Sequence, residues 1–324
     1  MMQLNEWLHA RTFHYSAFRD IEELVERKKQ RNLTISLCFP TLNEEKTIAK
    51  SLVIMKSELM DRYPLLDEIA VIDSGSSDAT VVTARSFGAD TYLAADYLPD
   101  QGSFKGKGDN LWKALYLLKG DIIVYIDADI SNIHHRFAYG LIGPLLQDDS
   151  IKFVKAFYNR PFKDASGIRP KGGGRVTELL IRPLFSQFYP ELSGIIQPLS
   201  GEYAGYRHIL EQIPFPVGYG VETGMLIDIY EKWGLDVIAQ TNLDFRIHRN
   251  QSISSLGRMS FGIMQIFWDR LRKYKQDISI QPESLVLRQI ELLEDDYNIN
   301  TFTIQEHEHI PIIEVPAYRE KFRK

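Results

Sequence analysis

Over the first 150 residues, short runs of unbroken apolar character alternate with polar turns and helix-patterned stretches. "TISLCFPTLNEE" gives a strand at 34–39, stopped by Pro40, with Glu44 and Glu45 opening a helix over 44–60, where carboxylates suit the helix dipole. "LDEIAVIDSGSSDAT" repeats the scheme: a strand at 68–72, a polar turn at 73–78, then a helix. "DTYLA" adds a shorter strand, residues 108–118 a helix, and "DIIVYIDAD" the next strand. Strands that are apolar throughout are buried on both faces, as in a parallel sheet covered by helices on either side. Such sheets bind ligands at the carboxyl ends of their strands. The ends at Pro40, Asp73 and Asp127 are therefore expected to line one crevice.

The pattern loosens after residue 150. "IKFVKAFYNRP" and "DVIAQTNLDFRIHRN" read as strands, "QPLSGEYAGYR" as a turn-rich piece, and residues 256–275 and 282–294 as helices. An amphipathic helix is expected at 16–30, where Phe18, Ile21, Leu24 and Val25 share a face. The expected organisation is an N-terminal helical segment (1–33), one α/β domain in two halves (34–150 and 151–255), and a helical C-terminal region (256–324). A net charge of −5 over 324 residues argues against nucleic acid as a bulk partner. The single cysteine, Cys38, has no partner for an intrachain disulfide, which suits a reducing compartment. The charged start of the chain does not read as a signal peptide, and no apolar run approaches the length of a membrane span. The expectation is a soluble cytoplasmic protein with no membrane partner.

Asp127 and Asp129 form a D-x-D after the apolar run "IIVYI". On extended backbone, alternation would put both carboxylates on one side. Hard divalent cations such as Mg²⁺ take oxygen ligands and share them with substrate phosphates. A plain cap on the next segment is the alternative; the apolar run ahead of the pair favours the metal. His248, in "RIHRN", is a candidate third ligand, imidazole being acceptable to Mn²⁺. "KGGGRVTEL" at 171–179 is a glycine-rich loop opening a helix, where backbone N–H groups favour an anion. Arg175 can add a bidentate contact there, and Thr177 a hydroxyl. In "FKGKGDNLWKAL", Lys105 and Lys107 sit between glycines just before a helix, within reach of a diphosphate or simply solvated. In "GYGVETG", Glu222 stands at a helix start, as a dipole carboxylate or as a polar group at a sugar.

Taken together, "PTLNEE", "VIDSGSSDAT", "GKGDNLWKAL", "IDADI", "GGGRVTELLIRPL", "QPLSGEYAGYR", "PFPVGYGVETGMLIDIY" and "AQTNLDFRIHRN" resemble the glucosyl-3-phosphoglycerate synthases and their mannosyl-transferring relatives, retaining glycosyltransferases of the GT-A fold. The resemblance runs from about residue 34 to 255, and the GGGRVTEL, QPLSGEYA and GYGVE blocks are its most specific parts. It implies an α/β, Rossmann-like sheet and transfer of glucose from UDP-glucose to the 2-hydroxyl of 3-phosphoglycerate. Residue by residue, it implies that Pro40, Thr41, Leu42 and Glu44 hold the uracil and ribose, with Ser74 and Lys107 also on the nucleotide. Asp127 would face the nucleotide and ribose, and Asp129 and His248 would bind Mg²⁺ or Mn²⁺, with Asp127 a further metal candidate. Gly174, Arg175 and Thr177, with Asn250 nearby, would hold the acceptor. Leu199, Tyr219 and Glu222 would shape the sugar pocket. Asp129 and Glu222 are the candidate catalytic residues, Glu222 as nucleophile being the alternative to attack on the face from which the diphosphate leaves. A homodimer is also implied. GDP-mannose as donor is the nearest rival reading. A sugar-phosphate nucleotidyltransferase is disfavoured, because Pro40-Thr41-Leu42-Asn43 stands where that class carries a glycine-rich loop.

Overall fold

The computed structural model describes residues 4–159, 162–164, 167–169, 174–247, 252–275, 285–292 and 297–322. Eight strands form its central sheet. In chain order they are β1 (Thr12–His14), β2 (Ile35–Thr41), β3 (Glu68–Asp73), β4 (Asp90–Leu93), β5 (Ile122–Tyr125), β6 (Phe153–Asn159), β7 (Tyr203–Tyr206) and β8 (Ile238–Phe245). In space they run β1-β8-β6-β7-β5-β2-β3-β4. All neighbours are parallel except for β7, which is antiparallel to both β5 and β6. The chain winds outward from β2 to β4, then returns to lay β5 on the other side of β2. That reversal of strand order opens a crevice beyond the carboxyl ends of β2 and β5. Strands on both sides of residue 150 share this one sheet.

The continuously apolar strands behave as their composition requires: every residue of β2 and of β5 is buried. β2 nevertheless runs past its expected end, with Pro40 and Thr41 paired to Ile72 and Asp73. On the opposite side β5 has already stopped, Tyr125 facing Cys38, so no strand there needs the N–H that Pro40 lacks. β5 itself ends at Tyr125, which places Asp127 and Asp129 beyond the strand rather than on extended backbone.

Several expected boundaries move for local reasons. The helix expected from residue 44 begins at Ile48. Ahead of it Asn43 turns the chain with φ 59°, and the Glu44 and Glu45 N–H groups bind Thr80 and Asp78 in the neighbouring turn. The stretch expected to be helical at 16–30 is broken at Asp20, whose carboxylate accepts the Glu23 N–H and caps Ile21–Gln30. The N-terminal segment also contributes β1 to the sheet edge, so it is not wholly helical. The turn-rich piece at 197–207 contains β7, a fully buried strand in the middle of the sheet.

At the C-terminal side, Ser252 caps a helix over Ile253–Tyr274. The helix expected at 282–294 is instead a strand, Val286–Leu292, paired antiparallel with Tyr297–Thr303; residues 282–284 and 293–294 lie outside the described residues. In "VLRQIEL" the β-branched Val286 and Ile290 suit a hairpin, and cross-strand pairing decides where periodicity alone is ambiguous. Beyond it, Glu308–His309 pairs with Phe215–Pro216. Among the described residues, no helix is long and apolar enough to cross a membrane.

The helix Arg136–Gln147 lies close against the N-terminal segment, and a Cβ on Gly143 would collide with the Phe18 ring. Gly143→Ala is expected to cost about 1–3 kcal/mol through overpacking. A lowered denaturation midpoint at unchanged m-value checks this.

Candidate active site

The crevice is a cleft of about 350 Å³. The end of β2 and the turn after it supply Pro40, Thr41, Leu42 and Glu44, and the turn after β3 supplies Ser74. The helix Lys107–Leu117 and the loop before it add Lys105, Gly106, Lys107 and Asn110. Asp127, Ala128 and Asp129 come from the end of β5, and Gly218 and Tyr219 from the loop before the helix Val221–Trp233. Asp73, expected in the crevice, is instead fully buried beneath it. It accepts hydrogen bonds from Thr41 Oγ1 and from the Gly75 and Ser76 N–H groups, and so shapes the turn that presents Ser74. Ser74 Oγ donates to Asn110 Oδ1, tying that turn to the Lys107 helix.

The charges are arranged around Asp127. Lys107 Nζ lies 2.6 Å from Asp127 Oδ1 and 2.9 Å from Glu222 Oε1. Arg246 Nη2 lies 3.0 Å from Asp127 Oδ2, 2.6 Å from Asp129 Oδ1 and 3.4 Å from Glu202 Oε1. Tyr158 Oη donates to Glu202 Oε2 at 2.6 Å, and Arg246 Nη1 donates to Tyr158 Oη at 3.1 Å. Burial alone would raise the Asp127 carboxyl, yet Lys107 and Arg246 outweigh it and hold the group well below the usual carboxylate range. Burial works against the Lys107 charge too, and Asp127 and Glu222 overcome it, so Lys107 stays cationic. Glu202 is fully buried; burial raises its carboxyl while Arg246 opposes. Half-buried Glu44 is pushed up to about 7 by burial and then by Asp129. A side chain on Gly201 would collide with the Asp127 carboxylate, so a glycine lets the backbone pass close behind it.

Four carboxylates thus share two cations, and Asp129 is 39% exposed toward the cleft. Oxygen donors short of positive charge suit a hard divalent cation. Among the described residues no three His, Cys, Asp or Glu side chains gather as a metal cage. The sequence-derived third ligand, His248, lies outside the described residues, as does the acceptor candidate Asn250.

The cleft therefore brings together Pro40, Thr41, Leu42, Glu44, Ser74, Lys107, Asp127, Asp129 and Tyr219, and Glu222 joins them through Lys107. It does not include Leu199, which packs part-buried against the core, nor Gly174, Arg175 and Thr177. Gly174 has φ 84° and its carbonyl accepts the Glu178 N–H, and Thr177 is buried. Sequence reasoning missed Tyr158, Glu202 and Lys155, and gave Arg246 no role of its own. The available signal was a charge embedded in an apolar run: Lys155 in "FVKAFY" and Glu202 ahead of "YAGY".

Lys155 is 1% exposed, donates to the Ser200 carbonyl at 2.5 Å and lies 4.5 Å over the Tyr203 ring. Burial pushes its ammonium down from 10.5 to about 7, with Glu222 opposing. Between those two values the unfolded chain holds a proton that the folded chain has released, so stability rises with pH across that window. Wild type should therefore gain stability relative to Lys155→Met on going from neutral pH to about pH 9.5. Urea unfolding of both proteins at the two pH values measures this, and a constant difference would mean that Lys155 stays charged throughout.

The model for glycosyl transferase family 2 matches residues 36–208. The chain is 55% identical over 315 residues to a glucosyl-3-phosphoglycerate synthase of Petrotoga mobilis, covering 97% of each. Its structure is similar to that of mannosyl-3-phosphoglycerate synthase from Rubrobacter xylanophilus, with TM-score 0.88, 36% identity, and 96% and 98% of the two chains covered. It is similar also to glucosyl-3-phosphoglycerate synthase from Mycobacterium tuberculosis in complex with Mn²⁺, UDP-glucose and phosphoglyceric acid, with TM-score 0.80, 39% identity, and 93% and 97% covered. The sheet with its reversal of strand order is thus of the GT-A type. With likeness of this degree over nearly the whole length, the chain belongs to the glucosyl-3-phosphoglycerate synthase family within glycosyl transferase family 2.

Proposed function

We propose that this chain transfers glucose from UDP-glucose to the 2-hydroxyl of 3-phosphoglycerate with retained anomeric configuration. The observation that carries the reading is the cleft. It collects nine of the expected donor-side residues around one carboxylate–cation array, in a chain 55% identical to a synthase of that name. The nucleoside lies along Pro40, Thr41, Leu42 and Glu44, beside Ser74. Asp127, kept ionised by its two cations, accepts from the ribose hydroxyls. Lys107 turns its charge toward the diphosphate.

Asp129, with His248, would hold Mg²⁺ or Mn²⁺, which when bound neutralises charge on the diphosphate leaving group. Gly174, Arg175, Thr177 and Asn250 hold the acceptor's carboxylate and phosphate, with the donor half at 34–150 and the acceptor half at 151–255. The bond from the anomeric carbon to the diphosphate oxygen breaks, and the acceptor 2-hydroxyl oxygen bonds to the same face. Its proton passes to the departing phosphate oxygen. Glu222 is 8% exposed and ion-paired to Lys107, so it orients that lysine rather than attacking the sugar. The working unit is a homodimer, twice the 37.4 kDa chain, which light scattering tests. A small phosphorylated acceptor and a single buried cysteine fit a cytoplasmic setting.

The test is nucleotide release and product formation with 3-phosphoglycerate, using UDP-glucose or GDP-mannose, with Mg²⁺ or Mn²⁺ and then with EDTA. UDP release that needs both the acceptor and the metal supports the glucosyl reading. Turnover confined to GDP-mannose moves the protein to the mannosyl reaction. Glu222→Gln should lower turnover by about ten- to a hundredfold, the effect of leaving Lys107 with one carboxylate fewer. A loss of about 10⁶-fold would instead mark Glu222 as the nucleophile.

A further inference from the structure

Gly218 and Tyr219 line the cleft, and Tyr219 is 54% exposed. Their backbone is held from 88 residues further along the chain. The Val217 N–H donates to the His307 carbonyl at 2.9 Å. The Gly218 N–H donates to Glu306 Oε2 at 3.1 Å, and the Tyr219 N–H next to it also favours the charged carboxylate. The carboxylate occupies a slot between two glycines, since a Cβ on either Gly218 or Gly262 would collide with it. Glu306 is fixed in turn by the helix Ile253–Tyr274: its N–H donates to Gln265 Oε1 at 2.9 Å, and Gln265 Nε2 donates to the Ile304 carbonyl at 2.7 Å.

The same segment reaches the other wall of the cleft. His309 Nε2 lies 2.7 Å from Asp109 Oδ1, and its ring stacks on Trp112 at 4.1 Å. Asp109 and Trp112 belong to the helix that Lys107 begins. Residues 304–309 therefore bridge the loop that carries Tyr219 and the helix that carries Lys107.

A carboxylate is an expensive choice for a mere brace at this position. Burial disfavours its charge, two backbone N–H groups favour it, and nearby Glu222 repels it. What it provides that an apolar side chain does not is an acceptor for the Gly218 N–H and a negative charge facing the Tyr219 N–H in the cleft wall. We propose that Glu306 is a positioning residue for the donor sugar, setting the Gly218–Tyr219 backbone against the glucosyl group while leaving the nucleotide seat untouched. This rests on the nucleotide-sugar reading given above.

The experiment is calorimetric binding of UDP and of UDP-glucose to the full chain with Mn²⁺, for wild type, Glu306→Ala and Glu306→Gln, together with steady-state kinetics. Both variants should bind UDP as wild type does. Glu306→Ala should bind UDP-glucose about tenfold more weakly and raise its KM to match, with KM for 3-phosphoglycerate unchanged. Glu306→Gln keeps one acceptor oxygen and should fall between wild type and Glu306→Ala. If Glu306→Ala does not fold, the isosteric Gln variant alone decides by the same split between the two ligands. Equal weakening of UDP and UDP-glucose, or no change in either, overturns the inference while leaving the donor reading intact. Wild type that fails to bind UDP-glucose overturns both.

Discussion

The Asp127 carboxylate sits between two cations drawn from distant parts of the chain, and much of the architecture exists to bring them there. A carboxylate at the tip of a strand whose every residue is buried cannot stay ionised unaided. Lys107 reaches one oxygen from the start of a helix, and Arg246 reaches the other from just beyond β8. Each cation then has its own further carboxylate, Glu222 for Lys107 and Glu202 for Arg246. The result is a row of alternating sign in which removing Lys107 takes away the cation paired with Glu222, and removing Arg246 the one paired with Glu202.

The antiparallel strand β7 has its reason in that row. In a purely parallel sheet the start of a strand lies far from the carboxyl ends of its neighbours. Because β7 runs the other way, Tyr203 pairs with Tyr125 at the very end of β5, and Glu202, one residue earlier, emerges beside Asp127 and Arg246. Reversing one strand places a fully buried acid under the site without a loop having to carry it there. Gly201, immediately before, lets the backbone come close enough to the Asp127 carboxylate for this to work.

The cleft was legible in the sequence because its signals are local: apolar runs of strand length, each followed by a turn with a functional group at a fixed offset. Pro40, Ser74, Lys107 and Asp127 meet in one cleft because a doubly wound sheet brings strand ends together at the reversal of order. What was not legible depends on partners far away in sequence. Glu202 and Lys155 look like misplaced charges until the fold supplies Arg246 and the Ser200 carbonyl. Asp73 reads like Asp127, a carboxylate ending an apolar strand, yet it faces its own turn and serves the backbone. The strand Val286–Leu292 was mistaken for a helix because its pairing with Tyr297–Thr303, not its periodicity, decides its state.

The match to the broad glycosyl transferase family ends at residue 208, whereas Tyr219, Glu222, Arg246 and Glu306 all lie beyond it. The matched part contains the strand ends that line the cleft. The later part supplies the second carboxylate for Lys107, the second cation for Asp127, and the brace on the cleft wall. A cleft that depends on later elements for its charge balance and shape can keep its strand ends while those elements change what it acts on. Specificity in such a chain is therefore to be sought after residue 208, among the elements that set the cleft's charge balance and shape, rather than in the strand ends.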